Sequence, residues 1–219
     1  MIGEFFQKLG PEIAQRTWEH IVLVTLSMLI AVCIAVPLGI WLAKSRWRRP
    51  ASAVLGLSGV IQTIPSLALL ALIVVLFALV SLPTIGTLPA VVALVLYALL
   101  PILRNTYTGI RQVDPAFIEV ATGMGMPPRH ILWSVEITLS LPVVMAGIRI
   151  ATVWTIGVAT LCGLIGAGGL GDLILKGLRS IQLDYLLAGT IPAALLALAL
   201  DFVLGRIEWL LTAPGLRKA

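Results

Sequence analysis

Charge is what this sequence has least of. Asp, Glu, Lys and Arg make up 11% of its 219 residues, where a water-soluble domain carries about 25%, and that shortage excludes an ordinary hydrated surface. Histidine and cysteine are as sparse, with two of each. His20 and His130 have no Cys, His or carboxylate at ligand spacing, so neither points to a metal centre or a catalytic base. Cys33 and Cys162 sit in separate apolar runs and read as small packing residues, not as a disulfide or a metal pair. No nucleophile has a base at workable spacing, and there is no Walker sequence. The expectation is a chain with no catalytic, cofactor-binding or metal residues of its own. The net charge of +5 does not argue for a nucleic-acid partner, because the basic residues cluster at the ends of apolar runs instead of forming a stripe.

Long uncharged runs are what the sequence has in abundance. His20 and Lys44 bracket 23 residues, Arg49 and Arg104 bracket 54, and Arg149 and Asp172 bracket 22; the mean hydropathy is +1.07. About 20 apolar residues span the hydrocarbon core of a bilayer as a helix. The pattern predicts an all-α integral membrane bundle, a single transmembrane domain over 1–219. Five spans are expected, at about 21–43, 52–80, 88–104, 142–162 and 186–208. The first 20 residues mix Glu4, Glu12 and Glu19 with Lys8 and Arg16 and do not read as a secretory signal, so 21–43 is expected to stay as the first membrane helix, after an amphipathic stretch at 1–19. Pro83, Gly86 and Pro89 mark a tight turn that makes spans two and three a hairpin.

Basic residues set the orientation. With the N-terminus outside, the inner segments hold Lys44, Arg46, Arg48, Arg49, Arg104, Arg111, Arg129, Arg149, Arg206, Arg217 and Lys218, and the outer ones only Lys8, Arg16, Lys176 and Arg179. The asymmetry predicts N-terminus out and C-terminus in the cytoplasm, with 105–141 as the longest cytoplasmic segment. Within it, Asp114 is placed to cap free amides, Pro115 suits the first helical position, and Phe117, Ala121 and Met124 are expected on one face. Gly125, with Pro127 and Pro128 behind it, ends the helix. A short helix of this kind lies on the lipid surface or docks on a partner protein.

Three further features stand out inside the spans. Gln62, Thr63, Pro65 and Ser66 form a polar cluster deep in the second span, where Pro65 predicts a kink. Either they line a solute path, or the proline is simply tolerated and its freed carbonyl satisfied locally. Arg149 reads as a cation snorkelling to the cytoplasmic surface, and Asp201 pairs with it or faces a water-filled interior. Gly166-Ala167-Gly168-Gly169-Leu170-Gly171 lacks the following Lys-Ser or Lys-Thr and the preceding strand of a phosphate-binding loop.

These residues together resemble a known family. Glu119-Val120-Ala121, with Gly125 six residues after the Glu and an apolar stretch to Ile137, is similar to the EAA cytoplasmic loop of permeases of binding-protein-dependent ABC importers. Val120 stands where that loop usually has Ala, and Leu141-Pro142 follows four residues beyond its expected Leu-Pro ending. Ile61-Gln62-Thr63-Ile64-Pro65-Ser66, Met145-Ala146-Gly147-Ile148-Arg149 and Gly166 to Asp172 extend the likeness over about 20–210, toward the osmoprotectant branch that imports glycine betaine, choline or carnitine.

The resemblance implies a type I importer-like bundle in the inner membrane, with a coupling helix that uses Asp114, Phe117, Glu119, Ala121, Met124 and Gly125. It implies a translocation path past Gln62, Thr63, Pro65 and Ser66, between this chain and a second permease, identical or homologous. ATP and Mg are then expected on a separate cytoplasmic ATPase pair. An extracytoplasmic solute-binding protein is expected at the outer face, over 172–181 as an interfacial helix, or else that segment is a plain loop. Membrane lipid surrounds the assembly. The competing readings are a methionine-type amino-acid permease, a proton-coupled carrier working alone and a membrane scaffold.

Overall fold

A computed structural model of the chain describes residues 2–45, 48–213 and 215, except the side chains of 2–8 and 48–50. Arg46, Arg217 and Lys218, with the side chains of Lys8, Arg48 and Arg49, all used above for orientation, therefore lie outside the described residues. Every regular element among the described residues is helical. Helix α1 is Ile2–Lys44, α2 Arg48–Thr63, α3 Ser66–Leu79, α4 Thr87–Arg111 and α5 Pro115–Gly123. A short α6, Pro128–Ile131, passes through a π-helical turn, Leu132–Glu136, into α7, Ile137–Ala159. A 3-10 turn at Thr160–Ile165 precedes α8, Leu170–Ser180, and α9, Leu183–Leu211.

Among the described residues, four stretches are long and apolar enough to cross a membrane: Leu9–Lys44, Thr87–Arg111, Pro128–Ile165 and Leu183–Leu211. The expected second span is instead a broken pair, Ala51–Thr63 and Ser66–Leu79, bent by 104°.

Two boundaries move. The stretch expected to be amphipathic at 1–19 is continuous with the first membrane helix. The fourth span begins far earlier than 142, so that only 112–127 of the expected loop 105–141 lies outside long helices. The reason is electrostatic: Glu136 interrupts the apolar run ahead of 142, but it is paired and does not end the helix, and Arg149 further along is paired as well. Glu136 takes an ion pair from Lys44, and Arg149 is held by Asp201 and Glu208.

Helix α4 is the centre of the bundle, packed against α1, α7, α2 and α3, with Leu94, Ile102 and Leu103 fully buried. Water is not the solvent between helices in lipid, so close packing of small residues does the work that apolar burial does elsewhere. Gly39 on α1 lies against Thr106 of α4, Gly109 against Ser140 and Val143 of α7, and Gly147 against Asn105 and the Pro101 carbonyl. Asn105 returns its amide to that carbonyl at 2.8 Å.

Of the two expectations for Asp201, the structure shows the pairing with Arg149: the Arg149 Nε and Nη2 donate to the two oxygens of Asp201, both at 2.9 Å, and Nη1 donates to Glu208 at 3.1 Å. A bidentate guanidinium–carboxylate pair fixes geometry as well as charge, and here it ties α7 to α9.

The tightest approach at a glycine among the described residues is between α8 and the 3-10 turn. A Cβ on Gly171 would stand 1.9 Å from the Thr160 carbonyl oxygen, and backbone cannot yield to it. Gly171→Ala should therefore abolish folded protein, read as monodisperse yield after detergent extraction, while Gly59→Ala and Gly157→Ala, with nothing within 4 Å, should give wild-type yield.

Candidate functional site

Two places in the fold carry polar or unpartnered groups that packing alone does not require. The first is the break between α2 and α3. Pro65 has no amide to give, and the chain turns sharply there. Buried backbone oxygens freed by such a break need a donor. Tyr97 of α4 supplies one, its hydroxyl donating to the Ile64 carbonyl, and its own carbonyl accepts from Gln62 Nε2 at 3.3 Å. Thr63 donates its hydroxyl back to the Val60 carbonyl at 2.7 Å. Gln62 is thus turned toward α4, Thr63 and Pro65 are exposed on this single chain, and Ser66 is half-buried. All four sequence-predicted residues flank the break, with Gln62 toward α4 and Thr63 and Pro65 toward the outside. Tyr97 was not foreseen; its signal was a hydroxyl in the middle of an apolar run.

The second place is α5. The Asp114 carboxylate accepts from the Ala116 amide at 2.9 Å, and Pro115 follows as the first helical residue. Gly125 has φ of +78°. Its amide donates to the Thr122 carbonyl and the Met126 amide to that of Ala121, the paired bonds of a Schellman ending. This helix is therefore closed at both ends by its own residues.

Its apolar face differs from the expectation. Phe117, Val120 and Met124 are 54%, 64% and 76% exposed, whereas Ala121 is buried at 5%. Val120 therefore stands on the open face where Ala121 was expected. Glu119 and Asp114 are exposed.

At the opposite end of the bundle, the glycine-rich segment is held firmly. Gly166, Gly168 and Gly169 have positive φ, and the Gly169 amide donates to Glu19 at 3.0 Å. Arg16 bridges Glu19 at 2.8 Å and Asp172 at 3.0 Å. Burial raises the Asp172 carboxyl above its ordinary range, against the pull of Arg16. Buried His20 lies beside Gly169 and donates from Nε2 to the Ile156 carbonyl at 3.2 Å. The chain here wraps a carboxylate of its own, Glu19, and α8 packs on α9.

No group of three or more His, Cys, Asp or Glu among the described residues is arranged to hold a metal ion. Cys33 and Cys162 are free thiols, the first exposed and the second buried.

Known proteins resemble this chain along nearly its full length. Residues 35–211 match the family described as binding-protein-dependent transport system inner membrane component. The carnitine transport permease protein OpuCB of Listeria monocytogenes is 45% identical over 218 residues, covering 100% of this chain and 96% of that protein. The choline transport system permease protein OpuBB of Bacillus subtilis (strain 168) is 43% identical, with 99% and 96% covered. The osmoprotectant import permease protein OsmW of Salmonella typhimurium is 43% identical, with 94% of each covered. Among solved structures, an inward-facing MetNI methionine ABC transporter superposes with a TM-score of 0.79 at 21% identity, over 91% of this chain and 96% of that one.

Tyr97→Phe removes the only hydroxyl donated to the Ile64 carbonyl among the described residues. A buried acceptor left unmet costs about 1–3 kcal/mol, so the variant should melt earlier in detergent and make 62–66 more accessible to thiol labelling of single-cysteine probes. An unchanged midpoint would mean that the break is held by packing alone.

Proposed function

The chain belongs to the family of binding-protein-dependent transport system inner membrane components, and from that premise we propose that it moves small compatible solutes of the glycine betaine, choline or carnitine type into the cytoplasm as the permease of an ATP-driven importer. The observation that carries the reading is the 41–45% identity, over nearly the whole chain, to permeases named for carnitine, choline or osmoprotectants. The likeness to a methionine transporter, at 21% identity, supports the fold and brings no solute with it.

The parts of the mechanism follow from the chain's own geometry. Helix α5 offers Phe117, Val120 and Met124 to a partner, with Glu119 at the side for a Lys or Arg to meet. Each large apolar side chain so covered contributes roughly 1.5–3 kcal/mol, and the self-capped ends make α5 stiff enough to be pushed. We assign it to a groove of a separate cytoplasmic ATPase, which would bind ATP and Mg and on which this chain depends for energy. Asp114 and Gly125 set its two ends, and buried Ala121 seats it on the rest of the permease.

Gln62, Thr63, Pro65 and Ser66 are assigned to the solute path, between this chain and a second permease, identical or homologous. The break exposes Thr63 and Pro65 at membrane depth, a poor arrangement against acyl chains and a good one against water. A solute-binding protein would deliver the solute at the outer face, near α8. The orientation that this requires is N-terminus out and C-terminus in, supported by the eleven-to-four excess of basic residues on the inner side, in the inner membrane.

Three outcomes are expected. Deleting the gene in cells without other routes should stop accumulation of glycine betaine, choline and carnitine; unchanged accumulation of all three would redirect the reading to another solute class. Large apolar residues at Thr63 and Ser66 should block uptake with assembly intact, and wild-type uptake would remove them from the path. Glu119→Lys or Gly125→Leu should leave the permease inserted but lower ATPase co-purification and solute-stimulated hydrolysis; wild-type levels of both would overturn the coupling role of α5.

A further inference from the structure

The most deeply buried acid among the described residues is Glu136, at 2% exposure. It closes the π-helical turn Leu132–Glu136. Its Oε1 accepts from Lys44 Nζ at 2.8 Å, and its Oε2 is buried without a hydrogen-bond partner. Lys44 is the last residue of α1 and its side chain is about half exposed, at 49%. One ion pair thus joins the end of α1 to the turn from which α7 begins.

Stability does not explain this arrangement. A buried ion pair commonly contributes no more than apolar residues of the same size, and an unmet carboxylate oxygen adds a cost. A π-helical turn is a further departure from the regular helix, and such turns concentrate at functional positions.

The location supplies the reason. Helix α5 has α6 and the π-helical turn as its main packing partners, so a force applied to α5 enters the bundle through them. A π-helical turn carries an extra residue and relaxes to an α-helix by a one-residue shift, which would turn α5 by about 100° relative to α7 without moving α7. Pinning the turn prevents that loss of motion.

We propose that Glu136 and Lys44 are positioning residues of the transport cycle: their ion pair braces the π-helical turn against the end of α1, so that displacement of α5 moves α7 and α1 together. This rests on the reading of α5 as the ATPase-docking helix. Glu136 touches no solute in this role and acts through the helices it joins.

The test uses the whole transporter, with its ATPase and solute-binding protein, in vesicles, and measures glycine betaine imported per ATP hydrolysed, normalised to assembled complex. Glu136→Gln keeps the shape and removes the charge, and Lys44→Gln breaks the same pair from its exposed end, so that one variant remains should the other fail to fold. Each should assemble with the ATPase at wild-type level and import about tenfold less solute per ATP. The double variant should be no worse than either single one, because both remove one interaction, and Lys44→Arg should keep the wild-type ratio.

Wild-type ratios in both Gln variants, or strictly multiplicative losses in the double variant, would overturn the brace. A lower amount of complex with an unchanged ratio would also overturn it, since that is what a purely structural pair predicts. Failure of the underlying reading looks different: Glu119→Lys and Gly125→Leu would keep ATPase co-purification and solute-stimulated hydrolysis at wild-type level, and the brace would fall with it.

Discussion

A helix in the hydrocarbon core has no water to satisfy a stray carbonyl or to solvate a charge, and the internal settlement of such groups is the constraint on which this structure depends. Arg149 is met by Asp201 and Glu208, and Glu136 by Lys44. The carbonyl freed near Pro65 is met by Tyr97. Each settlement joins elements far apart in sequence, α7 to α9, α1 to the turn before α7, and the α2–α3 break to α4. The polar groups that an apolar chain can least tolerate have become its interhelical ties.

The second requirement is proximity. Where solvent does not drive helices together, small residues let them approach, and α4 uses Gly39, Gly109 and Gly147 of its own and neighbouring helices to become the hub. The end of the bundle away from α5 is finished in the same way, with Gly171 against Thr160 and Gly169 against Glu19 and His20. Among the described residues, open apolar surface remains on α5, at the helix break and on the outward sides of the bundle, and the buried side-chain atoms left without a hydrogen-bond partner are His20 Nδ1, Thr106 Oγ1 and Glu136 Oε2. Helix α5, assigned above to the ATPase contact, has its ends satisfied by its own residues and its apolar face open.

The sequence by itself determined that the chain lives in a membrane, that it is all helical, and where most spans lie, because runs of uncharged residues have few other fates. It also determined both ends of α5 and the break at Pro65, since Asp-Pro, Gly-x-Pro-Pro and a mid-span proline act through local backbone chemistry. Only the tertiary structure decided the rest. The start of the fourth span, the pairing of Arg149 and of Glu136, the role of Tyr97 and the inward turn of Ala121 each depend on a partner from another helix or on a reversal of the chain. A charge such as Glu136 reads as lying outside a span until its counter-ion, some 90 residues away, is brought beside it by folding.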